Sequence, residues 1–162
     1  DNPLPLWHED MRKVGKPSKS VLESISEKLI NSDAFIIISP EWHGMVPAGL
    51  KNFFLMWGKG ELAHKPALIV TVSSGDGGSY PVAELRMSSY KNNRICFLPE
   101  HLIIRNVESV FNENEIDNNS SSQEYFENRL DYCLKQLLTY SKAFKQIRES
   151  DSVSIKKYGS GM

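Results

Sequence analysis

Short, continuous apolar runs alternate along the chain with polar segments. Residues 34–39 (Ala-Phe-Ile-Ile-Ile-Ser) and 67–73 (Ala-Leu-Ile-Val-Thr-Val-Ser) are two such runs, each bounded by polar or turn-forming residues. Runs of this length are typical of strands buried on both faces, as in a parallel sheet. A third apolar segment, residues 101–111, predicts a third strand.

Apolar residues at helical spacing predict four helices around these strands. Their predicted spans are about residues 18–31, 47–57, 80–92 and 121–148. Capping boxes, in which a serine is followed three residues later by a glutamate, mark two of the starts: Ser20 with Glu23, and Ser121 with Glu124. The alternation of helices and strands predicts an α/β fold, a parallel sheet with helices on both faces.

Composition is that of an ordinary soluble globular protein. The 162 residues suit one domain, 1–162, with a polar tail over 151–162 that we expect to be flexible. The net charge of -1 gives no reason to expect a nucleic-acid partner, and no apolar run is long enough for a membrane helix. Two cysteines without metal or redox spacing, and no signal peptide, favour reduced thiols and a cytoplasmic location.

Two loops follow the first two predicted strands, at the edge of a parallel sheet where ligands bind. They should lie side by side because the strands are consecutive. The second loop, 73–79, contains Gly75, Gly77 and Gly78, which let the backbone approach a ligand and expose amides to an anion. By itself, this loop is more simply interpreted as a glycine turn between a strand and a helix.

The first loop, 40–46, is more specific. It presents in succession Pro40, Glu41, Trp42, His43 and Gly44. A planar aromatic cofactor needs backbone amides at its polar edge and apolar area over its face, and this loop offers both. Taken alone, Trp42 could be a core residue and His43 a hydrogen-bonded structural histidine.

Residues 39–44 (Ser-Pro-Glu-Trp-His-Gly) and 46–52 (Val-Pro-Ala-Gly-Leu-Lys-Asn) closely resemble the NADPH-dependent FMN reductase family. The family pattern is Thr/Ser-Pro-Glu-Tyr-Asn/His-Gly, then a short gap, then Pro-Gly-x-Leu-Lys-Asn. Residues 4–10 (Leu-Pro-Leu-Trp-His-Glu-Asp) are similar to the family's Leu-Pro-Leu-Tyr-Asn-Glu-Asp segment. The glycine loop stands where the family has its Ser/Gly-rich flavin loop.

The resemblance implies a flavodoxin-like, doubly wound parallel sheet in three αβα layers. It also implies two segments around the flavin ring: Pro40, Glu41, Trp42, His43 and Gly44 in the first loop, and Ser73, Ser74, Gly75, Asp76 and Gly77 in the second. Trp42 replaces the commoner tyrosine. Asp76 departs from the small or basic residues often found there, and a carboxylate beside an anionic flavin is unfavourable unless it points away.

The implied activity is flavin-dependent: NADPH or NADH reduces FMN, which then reduces a small electron acceptor such as a flavin, a quinone, an azo dye or a metal oxyanion. The flavin carries this chemistry, so we nominate no general base or nucleophile. Family members are usually dimers or tetramers. The aromatic residues from Phe53 to Trp57 give this helix more aromatic surface than a single core-facing stripe needs. They fit either a subunit interface or burial within the domain.

One departure from the family is large. The family opens with a strand, a loop that grips the FMN phosphate, a helix and a second strand, and none of these stands before Asp1. We therefore expect that the chain lacks an N-terminal βαβ portion and that the phosphate site lies upstream. Without that portion, the strand at 34–39 would expose a long apolar edge, which natural proteins avoid. The alternative function is a non-enzymatic, flavodoxin-like module that carries flavin or has lost it.

Three other kinds of site find no support. The four histidines do not share metal-ligand spacing. Residues 73–77 do not form the Gly-x-Ser-x-Gly turn of a serine hydrolase. There is no Gly-x-x-x-x-Gly-Lys-Ser/Thr phosphate loop.

Overall fold

Helices and strands alternate as the sequence predicts. A computed structural model describes residues 4–12 and 17–161. Its regular elements are α1 (Pro17–Asn31), β1 (Phe35–Pro40), α2 (Ala48–Met56), β2 (Pro66–Val72), α3 (Ser79–Ser88), β3 (Cys96–Ile104) and α4 (Ser120–Glu149), with short 3₁₀ turns between or beside them.

The described strands form one parallel sheet in the order β1-β2-β3. Ile69 of β2 lies in the layer where α1, α2 and α3 pack, together with Phe54 and Leu85. Leu68 lies on the opposite face, in the layer formed with α4. This arrangement confirms the predicted α/β fold with helices on both faces of a parallel sheet.

Burial differs between the first two strands. Residues 66–71 of β2 are buried, as the apolar run predicts. In β1, however, Ile36 is 46% exposed and Ile38 is 62% exposed, so the prediction of burial on both faces is wrong for this strand. The reason is position: β1 is at the edge of the described sheet, and α4 packs mainly on β2 and β3.

The third strand occupies residues 96–104 rather than the predicted 101–111. Pro99 lies within it, where β3 is an edge strand of the described sheet and its register with β2 shifts between Phe97 and His101. The strand ends before Asn106, which has a left-handed backbone (φ +49°). Residues 107–109 then form a 3₁₀ turn.

Two predicted helix caps are wrong, although both helices begin within one residue of their predicted starts. The first helix begins at Pro17, so Ser20 lies within it rather than at its start. The last helix is capped by Asn119, whose side chain accepts a hydrogen bond from the Ser122 N–H at 3.0 Å. Asparagine is as good a cap as serine, and the cap lies two residues before the predicted Ser121.

The aromatic residues of α2 pack inward. Phe54 and the adjoining Trp57 are buried, and the Phe53 ring contacts both, with centroid separations of 5.5 and 6.0 Å. Burial within the domain therefore accounts for this cluster. The two cysteines are free thiols, as predicted; Cys133 is buried and Cys96 is half-buried.

The C-terminal segment returns to the loop that precedes β3. The Arg94 guanidinium donates to the Tyr158 and Gly159 carbonyls, and the Gly161 N–H donates to the Asn92 side chain at 3.2 Å. Flexibility of residues 151–162 stays a prediction.

Candidate functional site

The two predicted loops meet at the carboxyl edge of β1 and β2. The Glu41 N–H donates to the Val72 carbonyl at 2.9 Å, which extends the pairing of the two strands by one residue. The Glu41 carboxylate accepts a hydrogen bond from the Gly78 N–H at 2.6 Å. These contacts confirm that the loops lie side by side.

A two-residue turn forms the tip of the first loop. Trp42 and Met45 exchange backbone hydrogen bonds in both directions, at 3.1 and 2.9 Å. The residues between them, His43 and Gly44, both have positive φ (+50° and +73°), which is typical of a tight hairpin turn. The turn presents Trp42 and Met45 to solvent, with 63% and 52% of their surfaces exposed.

Tyr80, the second residue of α3, stands beside this tip. Its ring lies 3.4 Å from the position that a β-carbon on Gly44 would take, and the side chain is 68% exposed. Trp42, Met45 and Tyr80 thus place exposed apolar area beside the junction of the two loops. None of them is needed for the buried core.

Contacts with β2 and β3 fix the end of the glycine loop at Gly78. Thr71 donates its hydroxyl to the Gly78 carbonyl at 2.7 Å. Gly78 has φ +99°, and a β-carbon there would lie 2.5 Å from Cγ2 of Ile103. Only glycine fits this position, because any other residue would be strained in this backbone conformation and its side chain would clash with Ile103 of β3.

The upper part of the glycine loop leaves donors unused. Within residues 4–12 and 17–161, the amide N–H groups of Ser74, Asp76 and Gly77 have no protein acceptor, whereas the Gly75 N–H donates to the Ser73 hydroxyl at 3.3 Å. A β-carbon on Gly75 would have no atom within 4 Å. This loop can therefore donate hydrogen bonds to a ligand that comes close to Gly75.

A third loop, which follows β3, supports the glycine loop. The Asn106 N–H donates to the Gly75 carbonyl at 3.2 Å, and the Arg105 Nε–H donates to the Gly77 carbonyl at 3.0 Å. The Asn106 side chain also donates to Oδ1 of Asp76 at 3.3 Å. One carboxylate oxygen of Asp76 is thus occupied by the protein.

Arg105 and Asn106 were not predicted as site residues because the predicted third strand continued to residue 111. A strand that ends at Ile104 would have placed both residues at the same edge as the first two loops. The marker that could have indicated this end is Asn106, since asparagine tolerates the left-handed backbone that stops a strand.

Glu84 on α3 binds the C-terminal end of the first loop, at Val46. One of its oxygens accepts from the Val46 N–H at 2.8 Å, and the other pairs with the Lys51 ammonium group on α2. Both contacts lower the pKa of the Glu84 carboxyl below its usual value, and the hydrogen bond from Lys51 has the larger effect. Glu84 was not predicted as a site residue, since nothing in the sequence around it indicates a contact with the first loop.

Other kinds of site are not evident in the described residues. Across residues 4–12 and 17–161, no three His, Cys, Asp or Glu side chains are grouped so that they could hold a metal ion. No helix in the same part of the chain has both the length and the apolar character needed to cross a membrane.

Comparison with protein families identifies the chain. The model of the family described as NADPH-dependent FMN reductase matches residues 1–108, two thirds of the 162 residues. The chain belongs to this family. The match includes both predicted loops and extends through Arg105 and Asn106, so all three loops of the site lie inside the family region.

Curated relatives carry quinone reductase names. An NADPH:quinone oxidoreductase of Arabidopsis thaliana is 34% identical over 88 residues, which cover 52% of this chain and 44% of that protein. A quinone reductase of Escherichia coli is 34% identical over 76 residues, covering 44% of this chain and 39% of that protein. The matched part of this chain thus spans less than half the length of these relatives.

Solved structures show the same fold at low identity. An oxidoreductase from Corynebacterium diphtheriae superposes with a TM-score of 0.63 at 16% identity, covering 83% of this chain and 68% of that one. The flavoenzyme NAD(P)H:(acceptor) oxidoreductase FerB from Paracoccus denitrificans superposes with a TM-score of 0.62 at 17% identity, covering 88% of this chain and 76% of that one. These similarities confirm the flavodoxin-like fold.

Proposed function

We propose that this chain supplies the slot that binds the flavin ring in an FMN-dependent NAD(P)H oxidoreductase, which reduces a quinone or a similar small acceptor. The slot is formed by residues 40–44 of the first loop and 73–77 of the glycine loop. The observation that carries the proposal is the hydrogen bond between Glu41 and Gly78, which holds the two family loops side by side. The family match and the quinone reductase names of the relatives support the choice of cofactor and acceptor.

The residues of the slot fit a flat ring that is polar along one edge. The unused amides of Ser74, Asp76 and Gly77 can donate to the oxygens and nitrogens of a pyrimidine edge. Gly75 leaves room for close approach, and Trp42 offers exposed aromatic area for a ring face. FMN, when bound, supplies the transfer of electrons from the nicotinamide to the acceptor.

Each loop has a separate part in holding the ring. Pro40 and Glu41 continue β1 and join it to the glycine loop, while His43 and Gly44 make the turn that presents Trp42. Ser73 orders the start of the glycine loop through its hydroxyl. One oxygen of the Asp76 carboxylate accepts a hydrogen bond from the Asn106 side chain, which reduces the repulsion between Asp76 and negative charge on the ring.

The proposal is tested by titrating the purified protein with FMN and then with NADPH or NADH under anaerobic conditions. We expect FMN to bind, its visible absorbance to be lost on addition of the nicotinamide, and a quinone to restore it. A protein that binds FMN without bleaching would indicate a flavin carrier instead. A protein that FMN neither binds nor stabilises would contradict the proposal.

We further propose a homodimer or homotetramer in the cytoplasm. Leu55 of α2 and Met87 of α3 are 59% and 77% exposed, which leaves apolar area outside the core on these two helices. The free thiols Cys96 and Cys133 fit a reducing compartment. Light scattering during size-exclusion chromatography tests the assembly: a monomer at micromolar concentration would contradict it.

A further inference from the structure

Arg105 stands at the rim of the slot with most of its guanidinium group unused. Its Nε–H donates to the Gly77 carbonyl at 3.0 Å, which holds the group against the glycine loop. Neither of its terminal nitrogens has an acceptor within residues 4–12 and 17–161, and the side chain is exposed. A guanidinium group held by one bond, with its outer N–H groups free, is arranged to bind an anion through two parallel hydrogen bonds.

The neighbouring carboxylates do not pair with this group. One oxygen of Glu41 accepts from the Gly78 N–H, and one oxygen of Asp76 accepts from the Asn106 side chain. Glu108 lies on the following 3₁₀ turn, exposed and without an ion pair among the described residues. Arg105 therefore keeps its positive charge available at the rim, in spite of the acidic groups nearby.

The position of Arg105 along the sheet indicates which ligand it faces. It follows β3, whereas the first loop follows β1, two strands away, roughly 10 Å at the usual strand spacing. The ring slot lies between them, over the ends of β1 and β2. A group held by Arg105 thus belongs to a ligand that extends past the glycine loop on the β3 side.

We propose that Arg105 binds a phosphate group of the nicotinamide dinucleotide. This inference rests on the proposed function and assigns its co-substrate contact to a residue of this chain. The phosphate of FMN is the other source of the same chemistry. The dinucleotide is favoured because its nicotinamide would lie over the ring in the slot, so that its pyrophosphate would extend beyond the ring to the β3 side, where Arg105 stands.

The test compares Arg105→Gln with Lys142→Gln, which removes an exposed positive charge from α4, away from the slot. The FMN-loaded protein is titrated with ADP-ribose, which carries the pyrophosphate but no redox group, and binding is measured by calorimetry. We expect Arg105→Gln to weaken ADP-ribose binding about tenfold or more, as loss of a charged hydrogen bond does, and Lys142→Gln to leave it within about twofold.

Two further arms separate the sources of the effect. The KM for NADPH should rise with Arg105→Gln, while the KM for dihydronicotinamide riboside, which has no phosphate, should stay unchanged. The Kd of FMN relative to that of riboflavin should also stay unchanged. A rise in the KM for the riboside would assign the effect to a displaced glycine loop, and a selective loss of FMN affinity would assign Arg105 to the flavin phosphate; either result overturns the inference.

Failure of the proposed function gives a different result. If the wild-type protein binds no FMN, the ADP-ribose titration is carried out on the protein without flavin. A tenfold weakening by Arg105→Gln then still supports a phosphate contact, although the oxidoreductase proposal is lost. Absence of ADP-ribose binding in the wild type, or equal binding by both variants, overturns the role of Arg105.

Discussion

The carboxylate of Glu41 accepts a hydrogen bond at 2.6 Å from the backbone N–H of Gly78, a residue 37 positions away in the chain. The bond links the start of the loop after β1 to the end of the loop after β2, where Gly78 precedes α3. A hydrogen bond to a charged acceptor is stronger than one between neutral groups, so this side chain fixes the spacing of the two loops.

Replacement of Glu41 should separate the two loops. We expect Glu41→Ala to lower the free energy of unfolding by about 1–3 kcal/mol, because the Gly78 N–H loses its charged acceptor, and to weaken FMN binding. Glu41→Gln keeps a neutral acceptor and should show smaller losses. Urea denaturation and FMN titration measure both effects; an Ala variant with unchanged FMN affinity would mean that the spacing of the loops does not matter for the ring.

Two glycines of the second loop should respond differently to the same substitution. Gly78→Ala should lower the free energy of unfolding by about 2–4 kcal/mol, since its β-carbon would meet Ile103 at 2.5 Å in a left-handed backbone. Gly75→Ala should change stability by no more than about 0.5 kcal/mol, because nothing lies within 4 Å of its β-carbon.

Gly75→Ala is also a test of the slot itself. If the flavin ring comes close to Gly75, the added methyl group should weaken FMN binding tenfold or more, roughly the cost of overpacking, while the protein stays as stable as the wild type. Equilibrium titration with FMN beside thermal unfolding of the same preparation separates the two effects. Unchanged FMN affinity would place the ring elsewhere.

Trp42 should matter for the ligand more than for the fold. Because it is 63% exposed, Trp42→Ala should alter the free energy of unfolding by only about 0.5 kcal/mol. Loss of an aromatic contact with the ring should raise the FMN Kd several-fold, at about 0.5–1.5 kcal/mol for such a pair. Trp42→Phe should retain most of the affinity, and Trp7→Ala is the control. An equal loss of FMN affinity in Trp42→Ala and Trp7→Ala would contradict this role.

Lys65 should make stability depend on pH in the alkaline range. Its ammonium group donates to the Leu29 and Ile30 carbonyls at the end of α1, at 2.6 and 2.8 Å. Burial, together with the nearby Arg148 charge, lowers the pKa of Lys65 to about 8. The pKa of a lysine in an unfolded chain is about 10.4. Between the two pKa values, the unfolded chain therefore binds more protons than the folded protein.

The free energy of unfolding should therefore gain a rising contribution from Lys65 between about pH 8 and about pH 10.4. Lys65→Met keeps the apolar stem but has no titrating group, so it should lack this contribution. Urea denaturation of both proteins across the range gives the difference, in which the titration of Cys96 and Cys133 cancels. A difference that is constant with pH would show that Lys65 titrates normally in the folded protein.

Some parts of the site follow directly from local sequence. The apolar run 67–73 predicts a buried strand because almost every residue in it is apolar, and β2 is indeed buried. The proline at 47 and the helical spacing after it predict α2 closely. The two loops after the first strands were predicted to be neighbours because consecutive parallel strands end at the same edge, and they are.

Contacts between distant segments could not be predicted in the same way. Neither the pairing of Glu84 with Val46 and Lys51 nor the support of the glycine loop by Asn106 has a local signature. The end of β3 was misplaced because apolar residues continue past Ile104, and a strand and a partly buried turn share that pattern.

By itself, the sequence determined the helices, the first two strands and the loops that follow those strands, because these properties depend on residues a few positions apart. Only the tertiary structure decided that β1 is exposed on one face, that Glu41 reaches Gly78, and that Arg105 stands at the rim. These features depend on sheet order, strand ends and side-chain packing, which bring together residues that are far apart in the chain.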